Sequence, residues 1–290
     1  MNDIGRYETI RANGLDFEVL TAGEGDKLAL CLHGFPEHAQ SWRNQIPLLT
    51  GMGYRVWAPN QRGYGKTTKP PKLQDYSIEN LMADAGALID ASGAKHVTLI
   101  AHDWGAIVAW HFAMREIRPL DKLVIMNVPH PAIYAKVVRD SSRQRRKSWY
   151  VAFFQLPYLP ERFLARNNGR AVAGMFVTTA ANKANFGKDA LAVYRDQVGD
   201  PKTVHAMVNW YRAALTGGGF ARQLKLGYPK IDVPTLMIWG ENDLALEKET
   251  TYGTDAYVTD LRIKYLPGIS HWVQQDAPEA VNAELASFLS

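Results

Sequence analysis

Residues 99–110 read LIAHDWGAIVAW, which sets one carboxylate, Asp103, between two apolar runs. An unpaired carboxylate in such surroundings is heavily penalised, so its partners or its chemistry must offset the burial. The pattern is strand, one tight turn, then helix. Around the turn it reads small, any, acid, any, small: Ala101, His102, Asp103, Trp104, Gly105. A sharp turn of this kind holds one side chain at the top of a sheet, and small neighbours let strand and helix pass within contact. The helix N-terminus favours an ionised carboxylate there. On this fragment alone Asp103 reads equally well as a nucleophile or as a plain helix cap. Two further polar groups stand just past apolar strand-like runs: Asp243 in WGENDLAL (239–246) and His271 in ISHWVQQDAPEAV (269–281). Acid, acid and histidine in that order suit covalent catalysis by a carboxylate and hydrolysis by a histidine base.

The elements needed to position these groups are legible. Asn13-Gly14 between two strand-like runs predicts a hairpin. KLALCLHG (27–34), YRVWAPN (54–60), HVTLIA (96–101), DKLVIMNV (121–128), VPTLMIWG (233–240) and LRIKYLP (261–267) read as strands. Ser77 caps a helix through IENLMADAGALIDAS, with Gly93 just past its end, GAIVAWHFAMRE forms another, and a last helix runs from Pro278 to Leu289. Apolar strands alternating with helices predict the α/β class, a mostly parallel sheet covered on both faces. Residues 131–228 break the rhythm with aromatic, basic and helical character and read as a helical insertion. Within it LTGGGF (215–220) reads as a loop or hinge, since no Lys-Ser/Thr follows to make a phosphate loop.

HGFPE (33–37) ends the third strand, where a backbone N–H faces the turn to complete an oxyanion hole with the N–H of Trp104. The order of nucleophile, acid and histidine resembles that of the α/β-hydrolase fold, over nearly the whole chain. More narrowly, HGFPE, HDWGA, GEND and SHW resemble the motifs of the soluble epoxide hydrolases, as do KSWYVAFFQLP (147–157) and NWYRA (209–213). The resemblance implies a core domain of residues 1–130 and 229–290 and a helical cap (lid) domain of 131–228. It implies a ring-opening tyrosine in each cap segment, which by motif position are Tyr150 and Tyr211. Asp103 is then the nucleophile and His271 the base that activates water, with Asp243 orienting it in preference to Glu241. Asn127, not being acidic, offers no alternative to Asp243. The N–H groups of Phe35 and Trp104 form the oxyanion hole, and Phe35, Trp104, Phe153, Phe154 and Trp210 are expected along the substrate pocket. Trp42 and Trp149 are assigned to wall or packing, and His33 and His102 to local hydrogen bonds. Two positions depart from the family: Ala101, where glycine is common, and Asn60, where an aspartate often precedes RGYG.

The residue types suit epoxide opening. An epoxide carbon is sp3, and serine would convert it to a stable ether, whereas aspartate forms an ester that water cleaves. The ring oxygen is a poor leaving group unless hydrogen-bonded, and a phenol with an ordinary pKa of about 10 remains a donor at neutral pH. The expected partners are a small epoxide and water. The nearest rival reading is a haloalkane dehalogenase, which also places tryptophan after an aspartate. Such enzymes usually carry a polar residue where Phe35 stands, and lack the paired tyrosines; a fluoroacetate-type dehalogenase would carry arginine in place of Trp104. A rival of another class, a non-catalytic receptor of this fold, would be marked by loss of a triad member, and none is lost.

Composition agrees with an ordinary globular enzyme of 290 residues, 47% hydrophobic and 21% charged. The net charge of +4 gives little support to a nucleic-acid partner, and the basic run RDSSRQRRKSW (139–149) reads as a solvated helix face. The single cysteine, Cys31, reads as a buried strand thiol that suits a reducing compartment. MNDIGRYETI lacks the layout of a signal peptide and no run of about 18 apolar residues appears, so the cytoplasm is expected and a membrane span is not. No metal spacing such as H-E-x-x-H occurs, and neither metal nor organic cofactor is implied. Monomer and homodimer are both compatible with the sequence.

Overall fold

Asn13 and Gly14 both adopt positive φ, 46° and 74°, and turn β1 (Arg6–Ala12) back onto β2 (Leu15–Ala22). The computed structural model describes residues 4–290, so Met1, Asn2 and Asp3 of the N-terminal stretch lie outside the described residues. The strands that follow are β3 (Lys27–Leu32), β4 (Arg55–Pro59), β5 (His96–His102), β6 (Lys122–Met126), β7 (Thr235–Gly240) and β8 (Leu261–Leu266). They form one eight-stranded sheet in the order β1-β2-β4-β3-β5-β6-β7-β8. β2 runs antiparallel to β1 and β4, and every other pairing is parallel.

The continuous apolar runs reflect burial on both faces. Leu28, Leu30, Leu99, Ala101, Leu123, Ile125, Met237 and Trp239 point to one core. Their alternates Ala29, Cys31, Ile100, Val124, Met126, Leu236 and Ile238 point to the other. The first core is covered by α2 (Ile78–Ser92) and α3 (Trp104–Met114), the second by α1 (Ile46–Gly51) and α12 (Pro278–Leu289). Caps set the bounds of α2: the Ser77 hydroxyl accepts from the Asn80 N–H, and Gly93 closes the helix at φ 63°. Cys31 is fully buried, and that burial raises its thiol pKa.

Between β6 and β7 the chain runs through α4 (Pro131–Asp140), α5 (Ser142–Lys147), α6 (Trp149–Phe153), α7 (Leu159–Thr179), α8 (Lys188–Gln197), α9 (Pro201–Ala214) and α10 (Gly219–Leu226). A short α11 (Val273–Asp276) precedes α12. Specific polar contacts seat this insertion on the sheet. The Trp210 indole donates to Arg62 O, the Gln197 amide to Pro36 O and Glu37 O, and the Asp276 carboxylate accepts from the Ala181 and Asn182 N–H groups.

The loop expected at the triple glycine is a tight turn between α9 and α10, where a Cβ on Gly217 would lie 2.6 Å from Ala213 O. One local reading is corrected. The basic run is not a solvated face throughout. Gln144 is fully buried, donating to Ala245 O and accepting from the Glu247 N–H, while Arg143 pairs with Glu247 and Lys147 donates to Asp243 O. The run straps α5 to the loop that carries Asp243, because its glutamine and lysine meet backbone carbonyls left free there. Among the described residues no helix is long and apolar enough to cross a membrane.

Candidate active site

In parallel sheets the carboxyl ends of the strands open toward a crevice where ligands bind. Here the chemistry-bearing residues cluster at that edge: Phe35 after β3, Asp103 after β5, Asn127 after β6, Asp243 after β7 and His271 after β8. Asp103 sits at φ 49°, ψ −122°, a strained conformation for a non-glycine residue that costs about 1–3 kcal/mol. The surroundings enforce it. A Cβ on Gly34 would lie 2.2 Å from the Asp103 Cβ, and one on Gly105 would lie 2.2 Å from Leu32 O. Ala101, fully buried, is small enough to leave the turn intact. The Asp103 side chain makes no capping bond to its own helix. The plain-cap alternative therefore does not describe it.

One carboxylate oxygen, Oδ1, accepts the Phe35 N–H at 2.6 Å, and the other, Oδ2, lies 3.4 Å from His271 Nε2. The opposite ring nitrogen, His271 Nδ1, is 2.6 Å from Asp243 Oδ2. Asp243 is buried and accepts from three protein donors besides His271: the Ala245 and Leu246 N–H groups on Oδ1 and the Asn127 amide on Oδ2. Glu241 is engaged elsewhere, with Lys248. Burial disfavours charge on all three groups. The carboxylates on either side outweigh it at His271, raising its pKa well above the ordinary histidine value. His271 in turn holds Asp103 and Asp243 below the usual carboxylate range.

A second, fully buried network backs this line. Glu37 Oε2 accepts from the Gly34 N–H at 2.9 Å and contacts His102 Nδ1 at 2.7 Å, while Oε1 takes the amides of Gln274 and Gln275. His102 Nε2 meets the backbone oxygen of His271 at 2.9 Å. His33 bridges Gly34 O and the Gln61 N–H, and burial lowers its pKa to about 4, so it is neutral. The Asn60 departure also has a reason. Its amide donates to Glu18 at 2.7 Å and lies 2.9 Å from His38 Nε2, and its oxygen accepts the Ala39 N–H. An aspartate there would face the Glu18 carboxylate at hydrogen-bond distance, and like charges so placed repel.

A cavity of about 330 Å³ opens above Asp103. Trp104, Tyr150 and Tyr211 line it, with Ile107, Val128, Tyr134, Val138, Phe220 and Leu246 among its other walls. The two tyrosine rings lie 6.1 Å apart and nearly perpendicular, at 86°. Burial raises both phenols well above their ordinary pKa, and the charge of Asp103 adds to the effect. Phe35, Phe153, Phe154 and Trp210 stand behind the wall instead of lining it. Phe154 packs on Tyr211 at 4.5 Å, Phe35 on Tyr211 at 5.3 Å and Trp210 on Trp104 at 5.7 Å. Trp42 belongs to the core on the opposite sheet face, and Trp149 is 65% exposed. Among the described residues no group of three or more His, Cys, Asp or Glu could hold a metal ion.

Sequence reasoning passed over Asn127, because it asked only whether that residue was acidic. Its amide oxygen accepts the Gly240 N–H while its NH2 reaches Asp243, tying the ends of β6 and β7 together. A polar residue directly after a buried parallel strand was the available signal.

The fold and this line of groups define an α/β hydrolase, and the family profile for the alpha/beta hydrolase fold matches residues 29–278. The chain is 36% identical over 270 residues to "Epoxide hydrolase 2" of Caenorhabditis elegans, covering 92% of this chain and 74% of that one. It is also 36% identical to "AB hydrolase superfamily protein YfhM" of Bacillus subtilis, over 98% of both chains. A Bacillus megaterium epoxide hydrolase, solved with an inhibitor, superposes with a TM-score of 0.88 at 29% identity, covering 98% of this chain and 99% of that one. The chain belongs to the epoxide hydrolases of the α/β-hydrolase fold.

Proposed function

We propose that this enzyme converts an apolar alkyl or aryl epoxide to a vicinal diol through an ester on Asp103. The carrying observation is that Asp103 Oδ1 is held by the Phe35 N–H, Oδ2 lies 3.4 Å from His271 Nε2, and Asp103 lines a cavity walled by Tyr150 and Tyr211. Oδ2 attacks an epoxide carbon, the ring C–O bond breaks, and the ring oxygen takes a proton from one of the two phenols. In the resting state His271 is protonated between two carboxylates. Esterification removes the charge of Asp103, so His271 gives up its proton, which returns to the phenolate through solvent. Neutral His271 then takes a proton from water, which attacks the ester carbonyl. The developing oxyanion, formed from Oδ1, is held by the N–H groups of Phe35 and Trp104. Collapse breaks the bond between the carboxyl carbon and Oδ2, the departing alkoxide takes the proton left on the oxygen that water supplied, and the diol leaves with the carboxylate and protonated His271 restored. Residues 131–228 act as the cap that brings both phenols to the reacting atoms and limits access of water.

The test is a panel of terminal, aryl and internal epoxides beside haloalkanes, with diol and halide both measured, and one single turnover in heavy-oxygen water. Diol without halide is expected, the first diol unlabelled and the enzyme labelled at Asp103. Faster halide release than diol formation would favour the dehalogenase reading, and a labelled first diol would mean direct attack by water.

A further inference from the structure

The sheet order puts β3 on one side of β5 and β6 on the other, so Asp103 is flanked by the loop carrying Phe35 and by the turn carrying Val128 and Pro129. The two flanks are built differently. Val128 and Pro129 line the cavity, which continues past Val138 of α4 to Phe220 and Leu224 of α10. The β3 flank is filled. The Phe35 ring, 7% exposed, stands edge-on to Phe154 at 5.1 Å and to Tyr211 at 5.3 Å, and Phe154 is 3% exposed. Neither ring lines the cavity. Both residues are pinned through their backbones: the Phe35 N–H donates to Asp103, and the Arg212 guanidinium donates to Phe154 O at 3.1 Å. The Gln197 amide holds the next two carbonyls after Phe35, Pro36 O and Glu37 O. A close-packed region of this kind admits extra methylenes only by displacing side chains. Asp103 and the two phenols therefore stand at a closed end of the cavity instead of midway along it.

In-line attack fixes the oxirane between Oδ2 and the phenols. A carbon group on the ring then points either into the cavity over β6 or at the Phe35 flank. The two groups of a trans-disubstituted oxirane leave opposite faces of the ring. Those of the cis isomer leave the same face, and a terminal epoxide has one group only. We propose that the Phe35–Phe154 pair determines substrate specificity, admitting terminal and cis-disubstituted epoxides, whose carbon groups lie together in the cavity, and rejecting trans-disubstituted ones. The inference rests on the epoxide-hydrolase reading and narrows it to a class of substrate shape.

The test uses the cis and trans isomers of an eight-carbon internal epoxide with one propyl group on each ring carbon, beside the terminal epoxide of the same formula. Attack falls on a secondary carbon in both internal isomers, so their ratio reports shape and not substitution. The wild type should favour cis over trans about 10- to 100-fold in kcat/KM, the span expected from forcing methylenes into a filled core. Phe154→Ala should narrow that ratio about tenfold by admitting the trans isomer. Phe154→Leu, a smaller cut, should move it in the same direction and serves if the alanine variant does not fold. Because Phe154 packs on Tyr211, the ratio and not the absolute rate is the readout. Equal efficiency on cis and trans in the wild type, or a ratio unmoved in the folded variant, overturns the proposal. Failure to form diol from any of the three isomers counts against the epoxide reading, whereas diol from cis and trans at matched efficiency counts only against the Phe35–Phe154 boundary.

Discussion

Replacing the two cavity tyrosines by phenylalanine isolates the hydrogen-bond donors from the packing. The Tyr211 ring contacts Phe154 at 4.5 Å, Trp104 at 4.9 Å and Phe35 at 5.3 Å, and phenylalanine keeps every one of those contacts. Only the hydroxyl is lost. Removing one donor to a developing alkoxide costs about 2–4 kcal/mol, which slows formation of the Asp103 ester about 30- to 1000-fold. Each single variant retains the other phenol, so some activity survives. The double variant leaves the alkoxide with no donor in an apolar cavity, and its loss should exceed the product of the two single losses. Hydrolysis of the ester, once formed, should change little, because neither phenol takes part in it. The assay is stopped-flow quenching of tryptophan fluorescence during alkylation, since Trp104 adjoins both Asp103 and Tyr211, followed by single-turnover decay of the ester. Burial keeps both phenols protonated beyond their ordinary range, so alkylation should show no loss from phenol ionisation below about pH 10. A double variant that alkylates at the wild-type rate would refute the assignment of the ring-opening donors.

Three further outcomes follow from the site. His271→Gln should accumulate a substrate ester on the peptide bearing Asp103, visible by intact-protein mass spectrometry, because it removes the base that activates water while leaving the nucleophile, the Phe35 N–H and both phenols in place; turnover without an adduct would contradict this division of roles. Asn127→Ala should slow ester hydrolysis more than alkylation and destabilise the fold by about 1–3 kcal/mol, because it strands the Gly240 N–H and removes a donor from Asp243. Denaturant unfolding and single-turnover kinetics measure both effects, and equal slowing of the two steps would rule the positioning role out. The linked ionisations also set a pH window for stability. Asp103 and Asp243 have lowered folded values, so their contribution is present above the ordinary carboxylate range and lost as pH falls through those lowered values. His271 has a raised folded value, so its contribution is complete below about pH 6.5 and lost as pH rises through that raised value. Asp103→Asn removes one carboxylate from His271 and should move the alkaline loss of stability to lower pH, read from urea midpoints across the pH range. An unmoved alkaline limb would show that Asp243 alone sets the histidine.

The parts of this protein legible in its sequence are those decided by neighbours along the chain. Asn13-Gly14 and Ser77 with Gly93 specify a turn and a pair of caps through local sterics and hydrogen bonding, and the small residues flanking Asp103 mark the turn that sets it between strand and helix. The alternation of apolar strands and helices carried the α/β class, because burial on both sheet faces leaves continuous hydrophobic runs. Other features depend on partners distant in sequence. Asn60 makes sense only beside Glu18, and Asn127 only beside Gly240 and Asp243. The strap from Gln144 and Lys147 depends on carbonyls about a hundred positions away. The cavity wall was the least legible feature. Trp210 and Phe154 carry the right chemistry for it yet stand behind Trp104 and Tyr211, while Ile107 and Leu246 line it. Composition and spacing can say that a side chain is apolar and buried. Which of its faces meets empty space is settled only when α4, α9 and α10 dock over the end of the sheet, because that docking is a balance of non-local contacts that no short window of sequence contains.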